Sequence, residues 1–288
     1  MNDKRYFLPA HEWVYFKIYT GKTIAEQLLV FEIRELVRYF LEQKIIDQWF
    51  FIRYNDPDFH LRIRFHVPAS QKVGNLINMV NDTLAIYITD YRIWNVQIDT
   101  YRRELERYDL STYDKTEKIF FADSCLSLRI LQQVYEQGNE QLRWLAGIKS
   151  IDDFLNIVFE QNTTDKLNFI KKMADGFADE FNMDKKLRKA INQKYKKFAG
   201  EIEAVINNQH LGIQFIKKEL DNRNKHVENI LTNETVDYIT LSGLVHMMLN
   251  RLFKSANRKQ ELVMYQFLFL YYRSLQARNK YQNSRPTT

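Results

Sequence analysis

Apolar and polar residues alternate every second position in four stretches of the first hundred residues, and recur every third or fourth position almost everywhere else. In residues 13–19, Val14, Phe16 and Ile18 oppose Trp13, Tyr15, Lys17 and Tyr19, the period of a half-buried strand. Residues 49–65 repeat that alternation on both sides of Asp56-Pro57-Asp58, whose proline and aspartates favour a turn of type I-like geometry, so a β-hairpin is expected. A fourth strand is expected over 93–101, with Trp94, Val96 and Ile98 on one face and Asn95, Gln97, Asp99 and Tyr101 on the other. Between the strands, residues 22–43 place Leu28, Leu29, Phe31, Ile33 and Leu36 at helical spacing, and Ser70 is expected to cap a second helix reaching about Tyr87.

The order β-α-β-β-α-β predicts an α+β chain with an N-terminal ferredoxin-like antiparallel sheet. Beyond residue 107 the period is helical, with helices predicted near 115–137, 139–147, 150–161, 163–182, 184–208, 211–231, 235–254 and 258–278. The expected organisation is one integrated domain: a sheet-containing half over 1–106, a mostly helical half over 107–278 packed on the sheet, and a disordered tail over 279–288. The two helices of such a sheet cover one of its faces. The other would carry Lys17, Arg62, Arg64, Gln97, Asp99 and Tyr101, which is too polar for a core, so the helical half is expected to close over it as a cleft.

Composition narrows the possibilities. The 288 residues include only 8 glycines and 4 prolines, against roughly 20 and 14 in average usage, which suits a body of long helices. No apolar run reaches the roughly 18 residues of a membrane span, and no secretory signal core opens the chain. The single cysteine, Cys125, fits a reducing, cytoplasmic setting and reads as an inert thiol within a helix. A net charge of +6 favours acidic partners. The basic run at 185–197 has the spacing of a solvated helix face, so direct tRNA binding would rest on charge alone and is not expected. Gly-rich phosphate loops, zinc-ligand spacings and RNA-recognition motifs are missing, and neither a metal nor a cofactor is expected.

The chemistry concentrates in a few side chains. Arg62 and Arg64, two residues apart on a strand, share one face and are either a salt-bridged surface or a dock for carboxylates, which guanidinium forks bind bidentately. Strand parity places Arg103 with Tyr101 and Asp99 on that face. His246 lies in the helical segment LSGLVHMMLNRLF, in line with Ser242 and Asn250. It is either a satisfied core histidine or a general base, a role that imidazoles fill near neutrality. His11, His210 and His226 read as surface residues, and His60 and His66 as solvent contacts at the hairpin ends.

The motifs WVYFKIYTG, WFFIRYNDPDFHLRIRF, DTYRRELERY and SGLVHMMLNRLF together span residues 13–253. In this order they resemble the C-terminal elimination domain of lantibiotic dehydratases, also known as the thiopeptide-type bacteriocin biosynthesis domain. The resemblance implies a carbon–oxygen lyase acting on a ribosomally made precursor peptide. It would expel glutamate from glutamylated serine or threonine to leave dehydroalanine or dehydrobutyrine. Carried over by motif, Arg64, Arg103 and His246 would be catalytic and Arg62 would bind substrate; Lys17, Tyr101 and Asn250, from the same face and helix stripe, are expected to bind substrate with it. A standalone member would need a separate glutamyl-tRNA-dependent transferase as partner. Two alternatives stay open: a thiopeptide pyridine synthase, which joins two dehydroamino acids and expels the leader peptide, and a non-catalytic subunit that only binds the precursor.

Overall fold

A computed structural model describes residues 4–283. The chain begins with β1 (Tyr6–Phe7) and β2 (Trp13–Thr20), followed by α1 (Lys22–Leu28) and α2 (Arg34–Glu42), which are joined through a π-helical turn at Leu29–Ile33. The hairpin β3 (Gln48–Asn55) and β4 (Phe59–His66) comes next, then α3 (Val73–Thr89), β5 (Ile93–Asp99) and β6 (Tyr101–Arg102). The remaining elements are helical: α4 (Tyr113–Gln137), α5 (Glu140–Val158), α6 (Thr163–Glu180), α7 (Lys185–Ile206), α8 (Leu211–Gln214), α9 (Lys217–Leu231), α10 (Tyr238–Leu252) and α11 (Asn257–Asn283). The protein is thus α+β, with its antiparallel sheets near the N-terminus.

Four strands pair in the order β3-β4-β2-β5, all antiparallel, while β1 and β6 form a separate ribbon. Register follows the hydrophobic alternation, because a slip of one residue would turn every apolar side chain to the wrong face. Val14, Phe16 and Ile18 of β2 align with Phe65, Ile63 and Leu61 of β4, and these bury with Leu28, Ile33, Phe40, Leu76 and Val80 from the helices. The opposite face presents two cross-strand rows. Phe50, Arg64, Tyr15 and Asp99 form one; Ile52, Arg62, Lys17 and Gln97 form the other.

Contacts divide the chain into two compact units. The first comprises residues 1–138 and 229–255, so it holds both sheets and also α4 and α10. It therefore extends beyond the boundary expected at residue 106, because α4 and α10 pack directly on β3. Gly138 ends α4 in the left-handed region (φ 60°), a conformation glycine adopts without steric cost. The second unit comprises residues 139–228 and 256–288. Within it, α11 packs on α5, α6 and α7, and Asn139, Asn162 and Asp184 cap the N-termini of α5, α6 and α7 with their side-chain oxygens.

Several local expectations are corrected. A register shift after Tyr19 pairs Thr20 with Ile93, and Trp94 is left 57% exposed rather than inward with Val96 and Ile98. Ser70 opens a short 3-10 turn (Ser70–Lys72) instead of capping α3. The Asp56–Pro57 peptide in the hairpin turn is cis. The helices expected at 139–147 and 150–161 merge into the single helix α5 (Glu140–Val158), since nothing between them breaks it, whereas 211–231 divides into α8 and α9. Helix α11 runs through Asn283, so residues 279–283 of the expected tail are helical; 284–288 lie outside the described residues.

Candidate active site

The polar face of the larger sheet, α4 and α10 enclose a cavity of about 160 Å³ lined by Arg62, Arg64, Tyr101, Tyr108, Tyr113 and His246, among others. A wider groove of about 460 Å³ shares Arg62, Arg64, Arg102, Glu104 and Arg107 with it and adds Tyr15, Lys17 and Asp99. Its residue types come from strand parity. The hairpin register sets Phe50, Ile52 and Tyr54 opposite Arg64, Arg62 and His60, so apolar and aromatic side chains of β3 face the two arginines and the imidazole of β4.

Arg64 is the centre of this arrangement. It is only 7% exposed, and its guanidinium carbon lies 4.2 Å from the ring centre of Tyr15, 4.8 Å from Tyr101 and 5.1 Å from Phe50. These aromatic faces attract the cation electrostatically. No carboxylate pairs with it among the described residues, and its buried Nε has no hydrogen-bond partner. Removing a charge from water without a counter-ion is costly, so this arginine is preorganised for an anion.

Arg62 lies flat on Tyr54, its guanidinium carbon 3.4 Å from the ring centre. Its Nε–H donates to His60 Nε2 at 3.0 Å. His60 is fully buried, not the solvent contact expected at the hairpin end, because Tyr19 and Tyr54 enclose its ring at 4.5 and 5.5 Å. His66 is also more than a solvent contact: its ring packs on Trp13 at 5.0 Å, and Nδ1 meets Asp47 Oδ1 at 2.6 Å. Lys17, next to Arg62 across the strands, is ion-paired with Asp99, which holds that carboxyl below the usual carboxylate range.

The helices supply the other wall. Asp237 caps α10 by accepting from Thr240 N at 2.7 Å, and His246, Met247 and Asn250 of that helix line the cavity. Asn250 clamps this helix to the sheet: its Oδ1 accepts from Arg53 N at 2.8 Å and its Nδ2 donates to Arg53 O at 2.9 Å. Asn250 lines the cavity with its amide engaged by the Arg53 backbone. Gly243, one turn before His246, lets α10 approach Tyr108 closely; a Cβ there would stand 3.1 Å from the ring. Behind the wall, fully buried Arg251 donates to Ser124 and to Met247 O, and burial lowers its pKa to about 10.

Of the residues singled out in the sequence, the structure gathers Arg64, Arg62, Tyr101, His246 and Asn250 around the cavity and places Lys17 in the adjoining groove. Arg103 stands apart. It does share a side with Tyr101, as parity predicted, but their common partner is Glu117 of α4 rather than the cavity. Glu117 accepts from Tyr101 OH at 2.7 Å and from Arg103 Nε at 2.8 Å, and Arg103 also bridges to Asp114. Burial opposes both charges. It pushes the Glu117 carboxyl up, while Glu117 in turn carries the Arg103 guanidinium above its ordinary value. The cavity instead receives Arg102 and Arg107, the latter paired with Glu104 at 3.0 Å. The chain leaves the larger sheet after Asp99 so that β6 can pair with β1, and strand parity loses its meaning there.

Tyr15, Tyr54, Tyr108 and Tyr113 were also missed, although Tyr15 and Tyr54 sit in the same alternation as the arginines. Burial raises the phenols of Tyr15, Tyr101 and Tyr108, and brings Tyr113 up to about 12. They are neutral near pH 7 and can only donate or pack. The Cys125 thiol, raised by burial to about 12, is unreactive at that pH. No group of three histidines, cysteines or carboxylates capable of holding a metal ion occurs among the described residues. The arrangement is therefore an imidazole facing several fixed cations across a small, aromatic, anion-receptive cavity.

Known proteins resemble this chain in sequence and in fold. It is 25% identical over 261 residues to the subtilin biosynthesis protein SpaB of Bacillus subtilis, an alignment covering 85% of this chain and 24% of SpaB. The chain thus spans about a quarter of the length of the curated relatives it matches. In fold it resembles the crystal structure of the tRNA-dependent lantibiotic dehydratase MibB from Microbispora sp. 107891, with a TM-score of 0.74 at 18% identity, covering 93% of this chain and 29% of MibB. A second likeness is to TbtD, the pyridine synthase from thiomuracin biosynthesis, with a TM-score of 0.62 at 10% identity over 92% of this chain and 99% of TbtD. Among the described residues, no helix is long and apolar enough to cross a membrane. Residues 13–272 match the sequence profile described as "Lantibiotic biosynthesis dehydratase C-term", and the chain belongs to that family.

Proposed function

We propose that this protein expels glutamate from glutamylated serine or threonine residues of a ribosomally made precursor peptide, leaving dehydroalanine or dehydrobutyrine. The observation that carries this reading is Arg64: a buried guanidinium held by three aromatic rings, facing the cavity with no carboxylate of its own. In the elimination a base takes the Cα proton, the Cβ–O bond breaks, and the electron pair leaves on a carboxylate. Arg64 receives that developing charge in a partly dehydrated site, where fixed cations stabilise it more than water would. His246, on the facing helix, serves as the base. Arg62 holds the second carboxylate that glutamate brings, with Arg102 and Arg107 at the mouth in the part that the family resemblance implied for Arg103. Lys17, neutralised by Asp99, orients the groove rather than supplying net charge. Tyr101 forms part of the Arg64 cage, and Asn250 sets the depth of His246 by its clamp on Arg53.

Mass spectrometry of a chemically glutamylated serine peptide after incubation with the purified protein tests this reading. Release of glutamate with formation of the dehydro residue is expected, and is expected to fail with Arg64→Ala and His246→Ala. Turnover of the peptide by those variants at the wild-type rate would refute the assignment. Conversion of a peptide already containing two dehydroalanines, with loss of its leader, would point instead to pyridine synthase chemistry.

A further inference from the structure

We propose that His60 is a positioning residue for Arg62: its imidazole locks the guanidinium in the orientation that meets an anionic substrate, and protonation of that imidazole releases it. The inference rests on the reading above, in which Arg62 anchors a carboxylate. It goes further by making that anchor depend on acidity through a residue that touches no substrate.

The hydrogen bonds determine the His60 tautomer. Nε2 accepts from Arg62 Nε–H at 3.0 Å, so it carries no proton. Nδ1 then carries the proton and donates it to Asp58 O at 2.8 Å, within the hairpin turn. The ring cannot swing away, because Tyr19 of β2 and Tyr54 of β3 pack against it. Tyr54 also carries the Arg62 guanidinium on its face. With Nε engaged and one face stacked, Arg62 keeps its two terminal nitrogens for the cavity and groove that it lines.

A proton on Nε2 would remove the acceptor and set imidazolium against guanidinium at hydrogen-bonding distance. The groups around His60 make that proton unwelcome near neutrality. Burial, together with the charges of Arg62 and of Lys17 on β2, holds the imidazole below its ordinary value, although the Asp58 carbonyl and Asp56 in the turn act the other way. The sign follows from this. At pH 7 His60 is neutral and Arg62 is locked. Somewhere below roughly pH 6.5 the lock opens. A carboxylate ligand stays ionised down to roughly pH 4.3, so the loss belongs to the protein side of the contact.

Two measurements on the full chain test this. The first follows the Arg62 Nε–H and the His60 ring nitrogens by nuclear magnetic resonance from pH 7 to pH 5, with no ligand present. A protected Nε–H is expected at pH 7, lost as His60 gains its second proton. It should persist at pH 5 in His60→Gln, whose amide oxygen remains an acceptor, and be absent throughout in His60→Ala. The second measures N-acetylglutamate affinity over the same range. Wild type should weaken by about tenfold as His60 gains its second proton, the scale of one charge-assisted hydrogen bond, while His60→Gln stays flat. A residue with only a structural role would not move that pH profile. An unprotected Arg62 Nε–H at pH 7, or an acid-induced loss that persists in His60→Gln, overturns the proposal. A locked Arg62 with no affinity for N-acetylglutamate at any pH overturns the carboxylate reading, and the gate as a binding device falls with it.

Discussion

Two buried cations in this protein are treated in opposite ways. In the helical unit, Lys166 is sunk against Asp152 at 2.6 Å; the same carboxylate accepts from Tyr272 OH at 2.6 Å and from Asn156 Nδ2 at 3.1 Å. Lys149 is likewise paired with Asp153 at 2.7 Å. In the sheet-bearing unit, Arg64 is equally buried yet has aromatic rings where a carboxylate would be expected. Arg103, close by in sequence to that site, follows the first pattern through Glu117 and Asp114. A charge neutralised inside the fold serves the fold. A buried cation left without an anion contributes little to stability and is available to a ligand.

That contrast can be broken experimentally. Asp152→Ala leaves Lys166 and Tyr272 without their acceptor, and a loss of about 3–5 kcal/mol is expected from denaturant unfolding. Arg64→Met should behave the other way. Turnover of glutamylated peptide should fall by about 10² to 10³-fold, the cost of removing one preorganised charge-stabilising group, while the melting temperature holds or rises. A stability loss in Arg64→Met as large as that in Asp152→Ala would end the distinction. Asn250→Ala removes two hydrogen bonds to the Arg53 backbone, a loss of about 2 kcal/mol on the usual scale of roughly 1 kcal/mol each. Its activity should fall because His246 loses its fixed depth, with more change in kcat than in KM.

The smallest effect concerns acid. Despite partial burial, Lys115 and Ser111 hold the Glu234 carboxyl down to about 2. A carboxyl depressed in the folded state contributes stability above its unfolded value, roughly 4.3, and that contribution disappears as pH falls through the folded value. The melting temperature of wild type should therefore drop between roughly pH 4.3 and pH 2. In Glu234→Gln that drop should be shallower, and identical curves would remove Glu234 from the account of acid stability.

Much of the larger sheet could be read in advance because strand side chains alternate strictly, and Arg62, Arg64, Tyr15 and Lys17 are bound to that alternation. The same rule misplaced Trp94, where one register shift reverses the side of the strand. It kept Arg103 on the side of Tyr101 but could not foresee that Glu117, not the cavity, would receive it, in a segment that had already left the larger sheet for another pairing. His246 could be placed on its helix by spacing, but spacing could not tell a core histidine from one facing a cavity. His60 was read as a solvent contact because the rings that bury it, Tyr19 and Tyr54, come from two other strands.

What the sequence determined by itself is local: where the chain is strand or helix, which face of each strand is apolar, and that the two hairpin arginines share a side. Those properties depend on neighbours within a turn or two of chain. Only the tertiary structure decided which cations would be neutralised and which left open, since that depends on carboxylates and rings brought in from distant segments. Glu117 reaches Arg103 from α4, while Tyr15, Phe50 and Tyr101 surround Arg64 from three different strands. Burial and partner together set the energy of a charge, and both are properties of the packed chain.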